Sequence, residues 1–335
     1  MRTLRKILLP FSWLYGLVIL LRNKCYDWGW FSTTSYEIPL ICIGNLRVGG
    51  TGKTPMTEFI TRILCKEHRL ALLSRGYKRQ SEGFVMADEN TTVQELGDEP
   101  FQFFRKFPEV VVAVDANRRE GIRLLQEKAA PEVILLDDAF QHRKVKAGLN
   151  ILLTVYGDLY TDDVVLPAGN LRDTRNQASR AQVIVVTKCP AHLSVAEMKD
   201  VTQQLDPLPG QEVFFATIDY DSFLYNAAGA SMPLSDLPPG APLITGIASP
   251  GPLLHHLNSL GLSFTHQAYS DHHNFAPHEV KKLSKHAFLF TTEKDFMRLE
   301  GQLDNLWYLP IRTRLLSREE EFRELLKNYV SGYEA

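Results

Sequence analysis

The chain has few cysteines, no excess of charge of either sign and no long hydrophobic run, and each lack removes a class of protein. Its four cysteines, Cys25, Cys42, Cys65 and Cys189, lie far apart with no Cys-x-x-Cys spacing, which excludes a metal knuckle and a disulfide framework and fits reduced thiols. Lys and Arg total 37 against 39 Asp and Glu, a formal net charge of -2, so no global basic field points to nucleic acid as a partner. No apolar stretch reaches the roughly 20 residues of a comfortable membrane span. No small-x-small cleavage site follows the apolar N-terminal stretch, so a removed signal peptide fits poorly. Internal repeats and low-complexity tracts are absent, and no obligate protein partner is evident. What remains is 335 residues, 44% hydrophobic and 23% charged, ordinary for a folded protein with room for about two domains.

The balanced total hides a local asymmetry. Residues 1–26 carry Arg2, Arg5, Lys6, Arg22 and Lys24, with no acid before Asp27. Between them Ile7 to Leu21 is mostly apolar and contains Trp13 and Tyr15, with Trp28 and Trp30 just beyond. The pattern predicts an interfacial helix, its apolar face in the headgroup boundary and its cations on the anionic cytoplasmic leaflet. The competing reading is a helix packed on the protein's own core.

The strongest chemical signal is Ile43-Gly44-Asn45-Leu46-Arg47-Val48-Gly49-Gly50-Thr51-Gly52-Lys53-Thr54. Apolar residues from Ile38 to Ile43 read as a strand, and Thr54 to His68 has helical spacing. A glycine cluster between strand and helix start is the setting of a phosphate loop, in which backbone N–H groups and the helix N-terminus cradle phosphates. Gly49, Gly50, Thr51, Gly52, Lys53 and Thr54 are the nucleotide-binding candidates, with Lys53 reaching the β/γ-phosphates and the Thr54 hydroxyl on Mg²⁺. Arg47 stands where the usual pattern has its first glycine, giving a Gly-Gly-x-Gly-Lys-Thr variant.

Strand-like runs recur at 69–73, 110–114, 133–136, 150–155 and 183–187, alternating with helical stretches at 117–128 and 194–205. This predicts an α/β fold, a doubly wound, mostly parallel sheet of the P-loop NTPase kind. Turn-rich sequence between about 207 and 240 marks a boundary, with two short alternating segments as a β-ribbon linker. A second, smaller α/β unit is expected beyond it, closed by a helix over 317–330 that Ser317 and Glu320 would cap.

Val133 to Leu136 followed by Asp137-Asp138 is an apolar strand ending in paired carboxylates, the layout of a Mg²⁺ site beside a phosphate loop; a plain strand-end turn is the alternative. Asp98, ahead of a helical run, is equally readable as a helix cap or as a functional carboxylate. Asp271-His272-His273 sits in a turn, and a carboxylate meeting such a histidine across a cleft would make a proton acceptor. Thr187-Lys188-Cys189-Pro190 follows a strand like a guanine-reading loop, but Pro190 replaces the reading carboxylate, which favours ATP over GTP. Ser74-Arg75, Arg118-Arg119 and Arg172 add polar and cationic groups near the presumed cleft.

Taken together, Gly44-Asn45-Leu46, Val48 to Pro55, Ser74-Arg75-Gly76-Tyr77, Gly97-Asp98-Glu99-Pro100, Leu136 to His142, Leu166-Pro167-Ala168-Gly169 and Asp271-His272-His273 resemble the lipid A tetraacyldisaccharide 4'-kinase family across almost the whole chain. The resemblance implies a membrane-associated enzyme using ATP and Mg²⁺ to phosphorylate the 4'-hydroxyl of a tetraacylated glucosamine disaccharide 1-phosphate on the cytoplasmic face of a Gram-negative inner membrane. It implies Asp98 and His272 as catalytic dyad beside Lys53. It places Thr54, Asp137 and Asp138 around the metal, with Asn45, Ser74, Arg75, Arg119 and Arg172 toward the substrate. The expected division is a membrane segment 1–26, a P-loop kinase domain 27–210, a linker 211–240 and a smaller domain 241–335. A membrane-associated ATPase switch with the same Gly-Gly-x-Gly-Lys-Thr loop is the rival class.

Overall fold

Alternation of fully apolar strands with amphipathic helices builds the larger of two sheets. In the computed structural model, which describes residues 5–271 and 273–333, the first such strand, β1 (Leu40–Asn45), is buried at every position. It leads through the glycine loop into α2 (Lys53–Leu64), preceded along the chain by α1 (Leu9–Asp27). Next come β2 (Leu70–Ser74), β3 (Val85–Met86), α3 (Val93–Leu96), α4 (Asp98–Lys106), β4 (Val111–Val114) and α5 (Arg118–Ala129). Then follow β5 (Val133–Asp137), β6 (Leu149–Val155), β7 (Val183–Thr187), α6 (Val195–Leu205) and β8 (Glu212–Tyr220). Strands buried on both faces read as continuous apolar runs, which is why the sequence announces them so clearly.

The second sheet is built from β9 (Phe223–Asn226), β10 (Ser231–Pro233), β11 (Ala241–Thr245), β12 (Phe264–Ala268), β13 (Leu289–Thr292) and β14 (Leu306–Leu309). Its helices are α7 (Gly251–Ser259), α8 (Pro277–Leu283) and α9 (Glu293–Leu299). β15 (Ile311–Leu315) and α10 (Glu319–Ser331) close the chain. The large sheet runs β15-β8-β7-β6-β1-β5-β2-β4-β3 and the small one β10-β9-β14-β13-β11-β12. In the large sheet only β3 and β15 run antiparallel to their neighbours. β1 lies between β5 and β6, so the glycine loop opens at the carboxyl ends of central strands, where such sheets bind ligands.

The expected division of the chain differs from the structure at two places. Residues 212–220, expected in the linker, form a strand of the large sheet. The closing helix, assigned to the smaller unit, instead returns to the large one: Phe322, Leu326 and Val330 pack with Phe59, Ile63 and Phe214 in the core on one face of that sheet. An amphipathic helix declares that one face is buried, not against which sheet. The link between the units is a two-stranded antiparallel ribbon, with β8 on β15 and β9 on β14. The predicted Ser317 cap is also displaced, since Arg318 (φ 59°) occupies the cap position, where its guanidinium bonds Glu321 (2.7 Å) and Glu212 (2.8 Å).

The N-terminal helix is turned opposite to a core helix. Phe11, Trp13, Leu14, Leu17, Val18 and Leu21 are exposed, while the buried side chains are Ser12, Ile19 and Asn23. Besides buried Ile19, two polar contacts point inward: Ser12 Oγ accepts from the Ala168 N–H (2.8 Å) and Asn23 Nδ2 donates to Asp173 (2.8 Å). Arg5 and Arg22, expected at the lipid surface, also bond the protein: Arg5 donates to Asn170 and Gly169, and exposed Arg22 to the Gln141 carbonyl. Trp28 and Trp30 remain exposed just beyond the helix.

Candidate active site

The glycine loop has the backbone its sequence requires. Gly49 (φ 105°) and Gly52 (φ 85°) adopt left-handed conformations that a side chain would strain. Gly52 caps α2 without a side-chain bond, leaving the first N–H groups of that helix for an anion. Arg47, the residue that departs from the usual pattern, pairs with Asp158 and donates to its carbonyl at 3.1 Å, tying the base of the loop to the turn after β6. Asn45 Nδ2 donates to Thr51 Oγ1 (2.6 Å), Thr187 Oγ1 to the Thr51 carbonyl (2.7 Å) and Lys188 Nζ to the Gly50 carbonyl. The Thr-Lys pair that resembled a base-reading loop therefore braces the phosphate loop. Asn45, a substrate candidate by the family resemblance, is wholly buried behind that loop, where it bonds Thr51 and Arg172.

Across the loop, β5 delivers the two carboxylates. Asp138 (φ 49°) turns toward Lys53, whose Nζ is 3.7 Å from Oδ1, and Arg172 forks onto both its oxygens. Arg172 also reaches Asn45 Oδ1 at 2.7 Å. Burial pushes the Asp138 carboxyl up, but the Arg172 hydrogen bond and the charges of Lys53 and Arg172 outweigh it and hold the group below its ordinary value. Asp137 is 4% exposed and, among the described residues, its hydrogen bonds are long, 3.4 Å from Thr57 Oγ1 and 3.4 Å from Ser74 Oγ. Burial, reinforced by Glu99 and Asp138, drives its carboxyl up against the pull of Lys53 and Arg118. A buried carboxylate so poorly compensated beside a phosphate loop suits a hard cation, which would reverse that balance. Thr54, Asp137 and Asp138 are the residues that could hold Mg²⁺.

Asp98 stands on a mount made of two close backbones. Gly97 (φ 87°), not Asp98, is the cap of α4, and a Cβ on Gly97 would lie 2.9 Å from the Tyr77 carbonyl. A Cβ on Gly76 would meet the Leu96 carbonyl at 3.0 Å. The Ser74-to-Tyr77 turn and the start of α4 thus seat each other. Asp98 is the first residue of the helix, and Arg298 of α9 donates to its Oδ2 through Nε (2.9 Å) and Nη2 (2.8 Å). Lys294 lies 4.0 Å from Glu99 and 3.9 Å from Asp271, so Asp271 faces the start of α4 across one ammonium. His272 lies outside the described residues. His273 bonds Glu279 (2.9 Å) and packs on Tyr269.

The remaining candidates divide. Ser74 points at Asp137, Arg75 is exposed at the end of β2, and Arg119 is half-buried in the first turn of α5. Its neighbour Arg118 is 2% exposed and acts electrostatically on Asp137. Burial and the Arg118 charge hold His142 down at about 4, so it is neutral at physiological pH. Sequence reasoning missed Arg298 and Asp295; the only local cue was Thr292 three residues before Asp295, a cap pattern on a short helix.

The model of one family, described as tetraacyldisaccharide-1-P 4'-kinase, matches residues 4–331. A tetraacyldisaccharide 4'-kinase of Flavobacterium johnsoniae is 46% identical over 98% of each chain. Another, of Bacteroides thetaiotaomicron, is 40% identical over 98% of this chain and 93% of its own length. A crystal structure of LpxK from Aquifex aeolicus in complex with ATP superposes with a TM-score of 0.80 at 32% identity, covering 98% of this chain and 99% of that one.

Proposed function

This chain belongs to the tetraacyldisaccharide-1-P 4'-kinase family, and from that premise we propose that it transfers the γ-phosphoryl group of ATP to the 4'-hydroxyl of a tetraacylated glucosamine disaccharide 1-phosphate. The observation that carries the reading is the convergence, at the carboxyl ends of the large sheet, of a braced glycine loop, Lys53, the Asp137-Asp138 pair and the mounted Asp98. The family match sets aside the ATPase switch, which has no use for an acceptor-hydroxyl base.

The loop amides and Lys53 hold the phosphates and meet the charge that develops on them. Mg²⁺, when bound, supplies neutralisation of the phosphate oxygens from the side of Thr54 and Asp137. Asp138, kept ionised by Arg172 and Lys53, fixes the Lys53 ammonium in the cleft. Asp98 accepts the proton of the attacking sugar hydroxyl, with His272 as its partner by the family resemblance. No helix among the described residues is long and apolar enough to cross a membrane. The outward apolar face of α1 and the exposed Trp28 and Trp30 support attachment to the cytoplasmic leaflet, where an acylated acceptor resides.

Incubation of the protein with ATP and the acylated disaccharide 1-phosphate, followed by lipid extraction and mass spectrometry, tests the reaction. The product gains one phosphate, and fragmentation places it on the non-reducing sugar at the 4'-position. A recovered lipid of unchanged mass with ATP consumed would overturn the assignment.

A further inference from the structure

The carboxylate read as the base is gripped from the other half of the molecule. Nε and Nη2 of Arg298 both go to one oxygen of Asp98, Oδ2, at 2.9 and 2.8 Å. Nη1 donates to Asp295 Oδ1 (2.8 Å) and reaches the Gly246 carbonyl (3.3 Å). The Arg298 side chain is 5% exposed and that of Asp295 is fully buried. Asp295 is itself fixed, since its Oδ2 accepts from the Gly246 N–H (2.9 Å) and from Thr292 Oγ1 (2.7 Å) at the end of β13. All three guanidinium nitrogens are thus engaged, and the fork is planar, so its direction is set by the small sheet. A guanidinium held this way is no solvated surface pair. On the other side, Asp98 is set by the Gly76 and Gly97 backbones of the large unit.

We propose that Arg298 is a positioning residue for phosphoryl transfer. It anchors Oδ2 of Asp98 from the small unit and so sets the orientation of the carboxylate toward the acceptor hydroxyl. The inference rests on the reading of Asp98 as proton acceptor. In the step, the hydroxyl proton passes to Asp98 while the hydroxyl oxygen forms its bond to the γ-phosphorus. The bond from that phosphorus to the bridging oxygen breaks, its electron pair leaving on ADP. Arg298 takes no proton, because a guanidinium stays charged throughout. Its effect is orientation, the quantity on which phosphoryl transfer chiefly depends, together with charge stabilisation. The same geometry makes the base an assembly of two units, complete only when α9 meets α4.

An inert latch between the units is the competing role, and α4 and α9 do carry other pairs: Lys106 with Glu293 (2.8 Å) and Arg105 with Glu300 (3.0 Å). The test uses the full chain with ATP and acylated disaccharide 1-phosphate, comparing Arg298→Ala, Arg298→Lys, Asp98→Asn, the Arg298→Ala/Asp98→Asn double variant and Glu300→Gln. Arg298→Ala should lower kcat roughly 10- to 100-fold, the scale of a misplaced reacting group, with KM for ATP within about twofold of wild type if the ATP site is untouched. Arg298→Lys should restore only part of kcat, because an ammonium cannot fork. In the Asp98→Asn background the Arg298→Ala loss should vanish, since residues acting as one unit are not additive. Glu300→Gln should leave kcat unchanged. Should Arg298→Ala fail to fold, Arg298→Lys decides: wild-type kcat in that variant overturns the inference. Losses that multiply in the double variant, or that Glu300→Gln reproduces, also overturn it. A crippled Asp98→Asn beside a fully active Arg298→Ala refutes Arg298 alone, whereas near-normal turnover by Asp98→Asn refutes the base itself and Arg298 with it.

Discussion

Single side chains decide whether buried charge in this protein is an asset or a liability. Glu58 on α2 is 5% exposed, Lys106 Nζ lies 2.6 Å from it and 2.8 Å from Glu293, and Gln102 donates to its other oxygen at 2.9 Å. Burial pushes the Glu58 carboxyl up, with Glu293 adding to the rise and Lys106 opposing it, so the folded value stands above the ordinary one. A carboxyl raised in the folded state contributes stability that is fully present below its unfolded value and is lost as pH rises through the folded value. Wild-type stability should therefore fall between pH 5 and pH 8 more steeply than that of Glu58→Gln, as measured by urea midpoints. An equal or steeper fall in the variant would contradict this balance. None of this triad was legible in the sequence. Its members come from α2, α4 and α9, and only the fold brings them together.

At the scale of elements, the glycine loop and the β5 carboxylates were readable because each is a local pattern: apolar strand, tight turn, helix start. What braces them was not, because Thr187, Lys188 and Arg172 reach the loop across the sheet. The N-terminal helix was legible in composition but not in orientation, since its inward face is Ser12, Ile19 and Asn23 while most of its apolar residues point outward. Those inward bonds fasten α1 to the loop that carries Arg172 and, through Arg22, to the turn after Asp138. Charge placed on the outward face alone should separate membrane binding from folding. Trp13→Asp with Leu17→Asp removes two large apolar contacts, each worth about 1.5–3 kcal/mol when buried. Flotation with anionic vesicles should show at least a tenfold loss of bound protein, with the thermal midpoint unchanged. A variant that floats like wild type, or that melts many degrees lower, would mean the face packs on protein.

The whole molecule is two sheets joined by an antiparallel ribbon, with the chain crossing out along β8 and β9 and returning along β14 and β15. The candidate nucleotide-binding groups lie on the large unit and the grip on Asp98 comes from the small one, so on the proposed reading phosphoryl transfer draws on both. The alternation of strands and helices made two α/β units legible. The return of α10 to the first unit was not, because nothing in a helix's own periodicity names its partner. The most direct measurement follows the label of γ-labelled ATP after incubation with the full-length protein and acylated disaccharide 1-phosphate in mixed micelles. Label should enter the extracted lipid, and Lys53→Ala should lower this transfer by about 10²-fold or more, the scale of losing one electrostatic stabiliser of the transition state. Label released as free phosphate whether or not lipid is present, or transfer undiminished in Lys53→Ala, would contradict the proposed reaction.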